Sequence, residues 1–147
     1  MKKLIFLTLS ALLLTSCGGA EETSVSVDTK DLYFGPEFLA DLSPVDEGAA
    51  RGTAVSSLAL ESGTYTVIVA FEDLPSLAEG FFYEGWLVRT EGELSVLSTG
   101  KVENNMNFYT SDVDLTDHTQ YILTLEPDDG DPAPADHVLE GTFTQTN

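Results

Sequence analysis

Positive charge is scarce in this sequence of 147 residues: six Lys and Arg stand against 25 Asp and Glu, a formal net charge of −19. Such a surface repels polyanions, so nucleic acid is excluded as a partner and anionic lipid headgroups are disfavoured. Cysteine is nearly absent as well. The single Cys17 permits no intramolecular disulfide, and the fold has to stand on its core. Histidine occurs twice, at His118 and His137, each directly after an aspartate (Asp117 and Asp136). No Gly-x-Ser-x-Gly, His-Glu-x-x-His or Gly-rich phosphate loop is present. A Ser/His/Asp set can be drawn from any chain rich in Ser and Asp, and both histidines fall in loop-like stretches, where a solvated ring is expected. Neither catalysis nor a bound cofactor or metal is expected. Long apolar runs are missing too. Leu4 to Leu14 is interrupted by Thr8 and Ser10, and its 11 residues fall short of the about 20 that a bilayer requires.

What is there begins with a secretory leader. Met1-Lys2-Lys3 is basic, the apolar stretch follows, and residues 1–16 read as a signal peptide excluded from the fold. Leu14-Thr15-Ser16-Cys17 resembles the bacterial lipobox, in which a small residue precedes a cysteine that is lipidated and becomes the mature N-terminus. That resemblance implies lipid attachment at Cys17 and an extracytoplasmic, membrane-anchored protein on the periplasmic side or the cell surface. The alternative is a plain signal peptide with an incidental thiol. Loss of Lys2 and Lys3 leaves Lys30, Arg51, Arg89 and Lys101 against 25 acidic residues, a formal charge of −21. Because the acids are spread along the whole chain, a solvated acidic surface is the expected reading and cation binding the alternative.

Residues 17–52 read as a tether. Gly18 to Val27 is small, polar and acidic, and Phe38, Leu39 and Leu42 follow Pro36 at helical spacing, which predicts one short docking turn. The compact domain is placed at residues 53–147. Within it Thr64 to Glu72 alternates, with Tyr65, Val67, Val69 and Phe71 on one face. Phe81 to Arg89 is apolar on both faces and holds the only Trp, Trp86, which predicts a strand buried on both sides. Its Gly85 marks a bulge or a close approach. Arg89 to Glu93 is a tight hairpin with Gly92 in the left-handed position, Leu94 to Val102 returns, and Met106 to Thr110 is a short strand. Gln120 to Glu126 and Val138 to Thr144, with a first strand around Val55, Leu58 and Leu60 that does not alternate strictly, complete the set. About seven strands separated by turn signals, with no amphipathic helix, predict an all-β antiparallel sandwich or small barrel.

One loop concentrates acid: Glu126, Asp128, Asp129, Asp131 and Asp136 fall between residues 126 and 136. Oxygen-rich loops suit Ca²⁺, but the spacing departs from the EF-hand pattern and supplies no twelfth-position Glu. A solvated acidic hairpin loop is the expected reading, with a calcium-binding surface module as the alternative.

Two stretches resemble a known family. Tyr83-Glu84-Gly85-Trp86-Leu87-Val88 followed by Ser98-Thr99-Gly100 is similar to the core of the extracytoplasmic C-terminal domain of anti-sigma-K factors. Leu123-Thr124-Leu125-Glu126-Pro127 with Val138-Leu139-Glu140-Gly141 resembles that domain's closing hairpin, and Phe71 to Pro75 its lead-in. The resemblance spans roughly Val67 to Phe143. It implies a regulatory setting in the envelope. Such factors also carry a cytoplasmic sigma-binding domain and a transmembrane helix; neither is recognisable here, so the expectation is the outer module alone, held by lipid. The sequence therefore predicts a non-enzymatic, lipid-anchored β-domain that binds or senses an envelope protein or a small ligand. A purely structural surface lipoprotein is the remaining alternative.

Overall fold

The computed structural model describes residues 34–146, and they form nine strands. These are β1 (Phe34–Pro44), β2 (Arg51–Ala59), β3 (Thr64–Glu72), β4 (Phe81–Arg89), β5 (Ser95–Lys101), β6 (Met106–Ser111), β7 (Gln120–Pro127), β8 (Asp136–Thr142) and β9 (Thr144–Gln145). No helix occurs among the described residues, and every ladder is antiparallel. The order β5-β4-β7-β8-β1-β2-β3-β6 rolls into a nearly closed barrel, with β9 paired to β1. This is the all-β sandwich or small barrel that the alternating stretches predict.

Two sequence expectations are corrected here. Phe38, Leu39 and Leu42 do not form a helical turn; they lie in β1, which pairs with β2 from Phe34 to Leu42. The folded unit therefore takes in Phe34–Pro44, upstream of Thr53. Ala40 and Leu42 are buried while Asp41 and Ser43 are exposed, so the operative period is two, not 3.6. The predicted signal peptide and Cys17 lie outside the described residues.

The strands alternate in direction, which gives the barrel two ends. β1 starts at the base and ends at the top. The top carries the connections at residues 45–50, 73–80, 102–105 and 128–135; the base carries 60–63, 90–94 and 112–119. Gly92, in the β4–β5 hairpin, has φ of +78°, as its turn requires.

The interior is filled from the inward faces of six strands: Leu42, Ala54, Tyr65, Val67, Val69, Tyr83, Leu87, Tyr121, Leu123 and Leu139 are buried in one cluster, with Leu97 of β5 and Tyr109 of β6 partly buried against it. The alternation expected for β3 holds, with Ile68 outward and exposed. β4 is buried on both sides, but its two faces serve different clusters. Tyr83 and Leu87 enter the barrel, whereas Trp86 and Val88 pack with Ile122 in a separate cluster. Fully burying a side chain of this size contributes about 2 to 3 kcal/mol.

Candidate functional site

Cavities gather at the top. The β3–β4 connection, carrying Pro75 in a stretch that cannot propagate a ladder, separates two pockets. The first, about 340 Å³, is lined by Leu77, Phe81, Tyr83, Leu125 and Val138, with Asp46 the one charged side chain on its wall. The second, about 320 Å³, lies against Leu74, Tyr83, Val102 and Asn105. Tyr83 fixes the divider, its hydroxyl donating to the Pro75 carbonyl at 3.1 Å; burial raises the phenol's pKa and keeps it a donor. The Asp128 amide donates to the Gly80 carbonyl at 2.8 Å and ties the β7–β8 connection to the same rim. A concave apolar pocket of this size with one polar handle is the ordinary form of a small-ligand site.

The acidic loop is not a single cluster. Glu126 is 3% exposed and turned away from its neighbours. The Trp86 indole N–H donates to Thr124 Oγ1 at 2.8 Å, the Thr124 hydroxyl donates to the Glu126 carboxylate, and the Ala135 amide donates to that carboxylate at 2.8 Å. Glu126 thus pins the loop's far end to the sheet. Asp129 and Asp131 accept the amides of Asp131 and Ala133 at 2.9 and 3.0 Å, and Asp128 pairs with Lys101 at 3.6 Å. Among the described residues, no group of three or more His, Cys, Asp or Glu is gathered as metal ligands.

At the base the structure corrects another expectation. His118 is not solvated; it is 4% exposed. Its Nδ1 lies 2.7 Å from Asp117 Oδ1 and its Nε2 lies 3.0 Å from Ser95 Oγ. Arg89 donates to the other Asp117 oxygen at 2.7 Å, and this guanidinium, then the His118 ring, holds the carboxyl below the usual carboxylate range. The distances match a Ser-His-Asp triad. The surroundings do not: the Arg89 cation already neutralises the carboxylate that would stabilise an imidazolium, and the described pockets lie elsewhere. The arrangement acts as a clasp between the β4–β5 hairpin and the β6–β7 connection. His137, by contrast, is exposed and pairs with Glu140.

The residues of the recognised motif surround a buried polar knot. Gly85 sits where a Cβ would run into the Tyr121 hydroxyl and Thr99 Oγ1, so it is the close approach, while the register shift beside it leaves Thr99 of β5 as the extra, bulged residue. Thr99 Oγ1 and Tyr121 OH donate to Asn107 Oδ1 at 2.7 and 3.1 Å, and burial raises the Tyr121 pKa. Asn107 Nδ2 donates to the carbonyls of Thr99 and Gly100 at 3.3 and 3.0 Å. Sequence reasoning missed Asn107, although a polar residue sharing an inward face with Tyr109 was a signal that could have found it.

The model of the family "Anti-sigma-K factor rskA, C-terminal" matches residues 7–139. The match begins far upstream of Val67, where the motif resemblance starts, and stops within β8. No curated protein and no solved structure matches the chain. No helix among the described residues is long and apolar enough to cross a membrane. With a family model covering most of its length and the motif residues converging on one knot, this chain belongs to the anti-sigma-K factor C-terminal family.

Proposed function

We propose that this chain is a non-enzymatic binding or sensing domain, held outside the cytoplasm by a lipid on Cys17 and acting in a regulatory pathway of the envelope. The observation that carries this reading is the direction of β1. The chain enters the barrel at the base, and the apolar pocket lined by Leu77, Phe81 and Leu125 opens at the top. A tether from Cys17 would join the barrel at the end opposite the pocket, leaving the pocket's mouth free for a soluble ligand or an envelope protein. Membership of a family of regulators supports the setting. The lipobox-like Leu14-Thr15-Ser16-Cys17 supports the anchor.

Two substitutions test it. Cys17→Ser is expected to move the protein from the membrane to the soluble or unprocessed fraction. Ser76→Cys, at the rim of the pocket, is expected to react with a membrane-impermeant maleimide on intact cells or spheroplasts. Membrane retention of the Cys17→Ser protein would remove the anchor, and labelling of Ser76→Cys only after lysis would remove the outward placement.

A further inference from the structure

The two strands most easily paired are not paired. β5 and β6 are consecutive, joined by residues 102–105, and the turn is closed by a bridge between Glu103 and Met106 whose hydrogen bonds are 2.9 Å. Beyond it no ladder joins them: β5 pairs only with β4, and β6 only with β3. Asn107 spans their upper halves through Thr99 and Gly100. Below that, Ser95–Ser98 and Phe108–Ser111 face one another without a backbone hydrogen bond between them.

Open edges are templates for another strand, and proteins blunt them with charge or proline. Here neither device is used. The edge residues are Ser95-Val96-Leu97-Ser98 and Phe108-Tyr109-Thr110-Ser111, without one charge in a chain of 25 acids. Exposed apolar side chains collect on the same flank. Among the described residues ten large hydrophobics are exposed; Leu94, Val96, Met106 and Phe108 border the seam and Ile68 stands beside Phe108 on β3. Phe108 is 63% exposed and Met106 49%. A groove of about 600 Å³ runs along Met106 and Phe108 toward Lys101.

Charge at the lower mouth of the seam is one-sided. Glu91 and Glu93 of the β4–β5 hairpin and Asp112 and Asp114 of the β6–β7 connection are exposed there, while Arg89 is committed to Asp117. From these features we infer that the β5–β6 edge receives an extended segment of another protein, which adds as a strand antiparallel to β6. Its alternate residues are apolar, to lie beside Phe108 and Ile68, and its N-terminal end is basic. β6 runs from top to base, so an antiparallel guest begins at the acidic mouth. Main-chain hydrogen bonds supply affinity and the alternate side chains supply selectivity. A second copy of this chain fits poorly, because its own edge segments carry no basic residue and its net charge has the same sign.

The test uses the mature chain and a labelled peptide, Lys-Lys-Thr-Val-Thr-Val-Thr-Val, with a Glu-Glu version as control. In the free protein the amides of residues 95–98 and 108–111 that face the seam should exchange rapidly, and the lysine peptide should protect them. Phe108→Asp, at an exposed position that leaves Trp86 fluorescence unchanged, should weaken binding at least about tenfold, as should the Glu-Glu peptide. The inference is overturned if the lysine peptide fails to bind up to about 1 mM, or if either change leaves affinity intact. Seam amides already protected in the dilute free protein would show the edge closed. Protection that rises with protein concentration alone would assign it to a second copy.

Discussion

At β1 the two halves of the barrel share a strand; at β5 and β6 they share a side chain. Phe34 to Leu42 of β1 pair with β2, and Ser43 and Pro44 continue onto β8, so one unbroken backbone serves both ladders. The Val45 amide extends that junction to the Val138 carbonyl at 3.2 Å. Across the barrel the halves are linked by a four-residue turn and then by the Asn107 amide. Closure by backbone depends little on which residues are present, because every residue but proline brings a donor and an acceptor. Closure by one amide concentrates the same task on a single position. The second seam is therefore the place where a substitution, or a guest strand, can act without dismantling a ladder.

The largest expected effect is at that amide. Asn107→Ala withdraws two donors and one acceptor from a buried knot, leaving the Thr99 and Tyr121 hydroxyls and two carbonyls short of partners. Unpaired buried groups cost about 1 to 3 kcal/mol each, so a loss of about 4 kcal/mol is expected in urea unfolding. A loss below about 1 kcal/mol would mean that the seam is held by something else and that the contrast with β1 is false. The matching insult at the shared strand is milder. A Cβ at Gly141 would lie 2.6 Å from both the Asp41 carbonyl oxygen and a Leu42 methyl, so Gly141→Ala must push β8 from β1. Overpacking of this kind costs about 1 to 3 kcal/mol. Amide exchange should quicken locally around Ser43 and Glu140 and stay unchanged at Asn107. Equal quickening at both places would show the seams to be one cooperative unit.

The smallest effect is electrostatic. Arg89 and then His118 depress the Asp117 carboxyl, and the Thr116 hydroxyl and amide do the same for Asp114. A depressed folded-state pKa contributes stability that is full above the ordinary carboxylate range, near pH 4, and is lost as pH falls through the lowered value. Both groups are exposed, so Asp117→Asn should cost under about 1 kcal/mol at pH 7. The difference from the parent should shrink at about pH 3. A difference that grows on acidification would overturn the clasp.

Much of the fold was legible because strands announce their faces. Tyr65 to Phe71 alternate in the sequence and in the barrel, and the double-sided apolar run around Trp86 is buried on both sides. The residues that escaped reading are those whose surroundings come from far along the chain. β1 looked helical because Phe38, Leu39 and Leu42 fit a 3.6 period, while the small Ala40 concealed the alternation that pairing selects. His118 looked solvated, since nothing beside it reveals that Ser95 and Arg89 close around Asp117 and its ring. Glu126 looked like one of five loop acids. Strand alternation places it on the side of β7 that carries Ile122 and Thr124, and there it meets Trp86's partner. The top pocket draws on residues from Asp46 to Val138, so only the topology assembles it.

The course of β1 also has a mechanical consequence. A pull delivered to the chain at Phe34 acts along the strand, from the base, while its pairs with β2, β9 and β8 lie across that direction. Those hydrogen bonds are loaded together in shear instead of being peeled apart singly. Load on the upstream chain is thus borne by the longest strand of the barrel and shared among three neighbours before the pocket at its other end is disturbed.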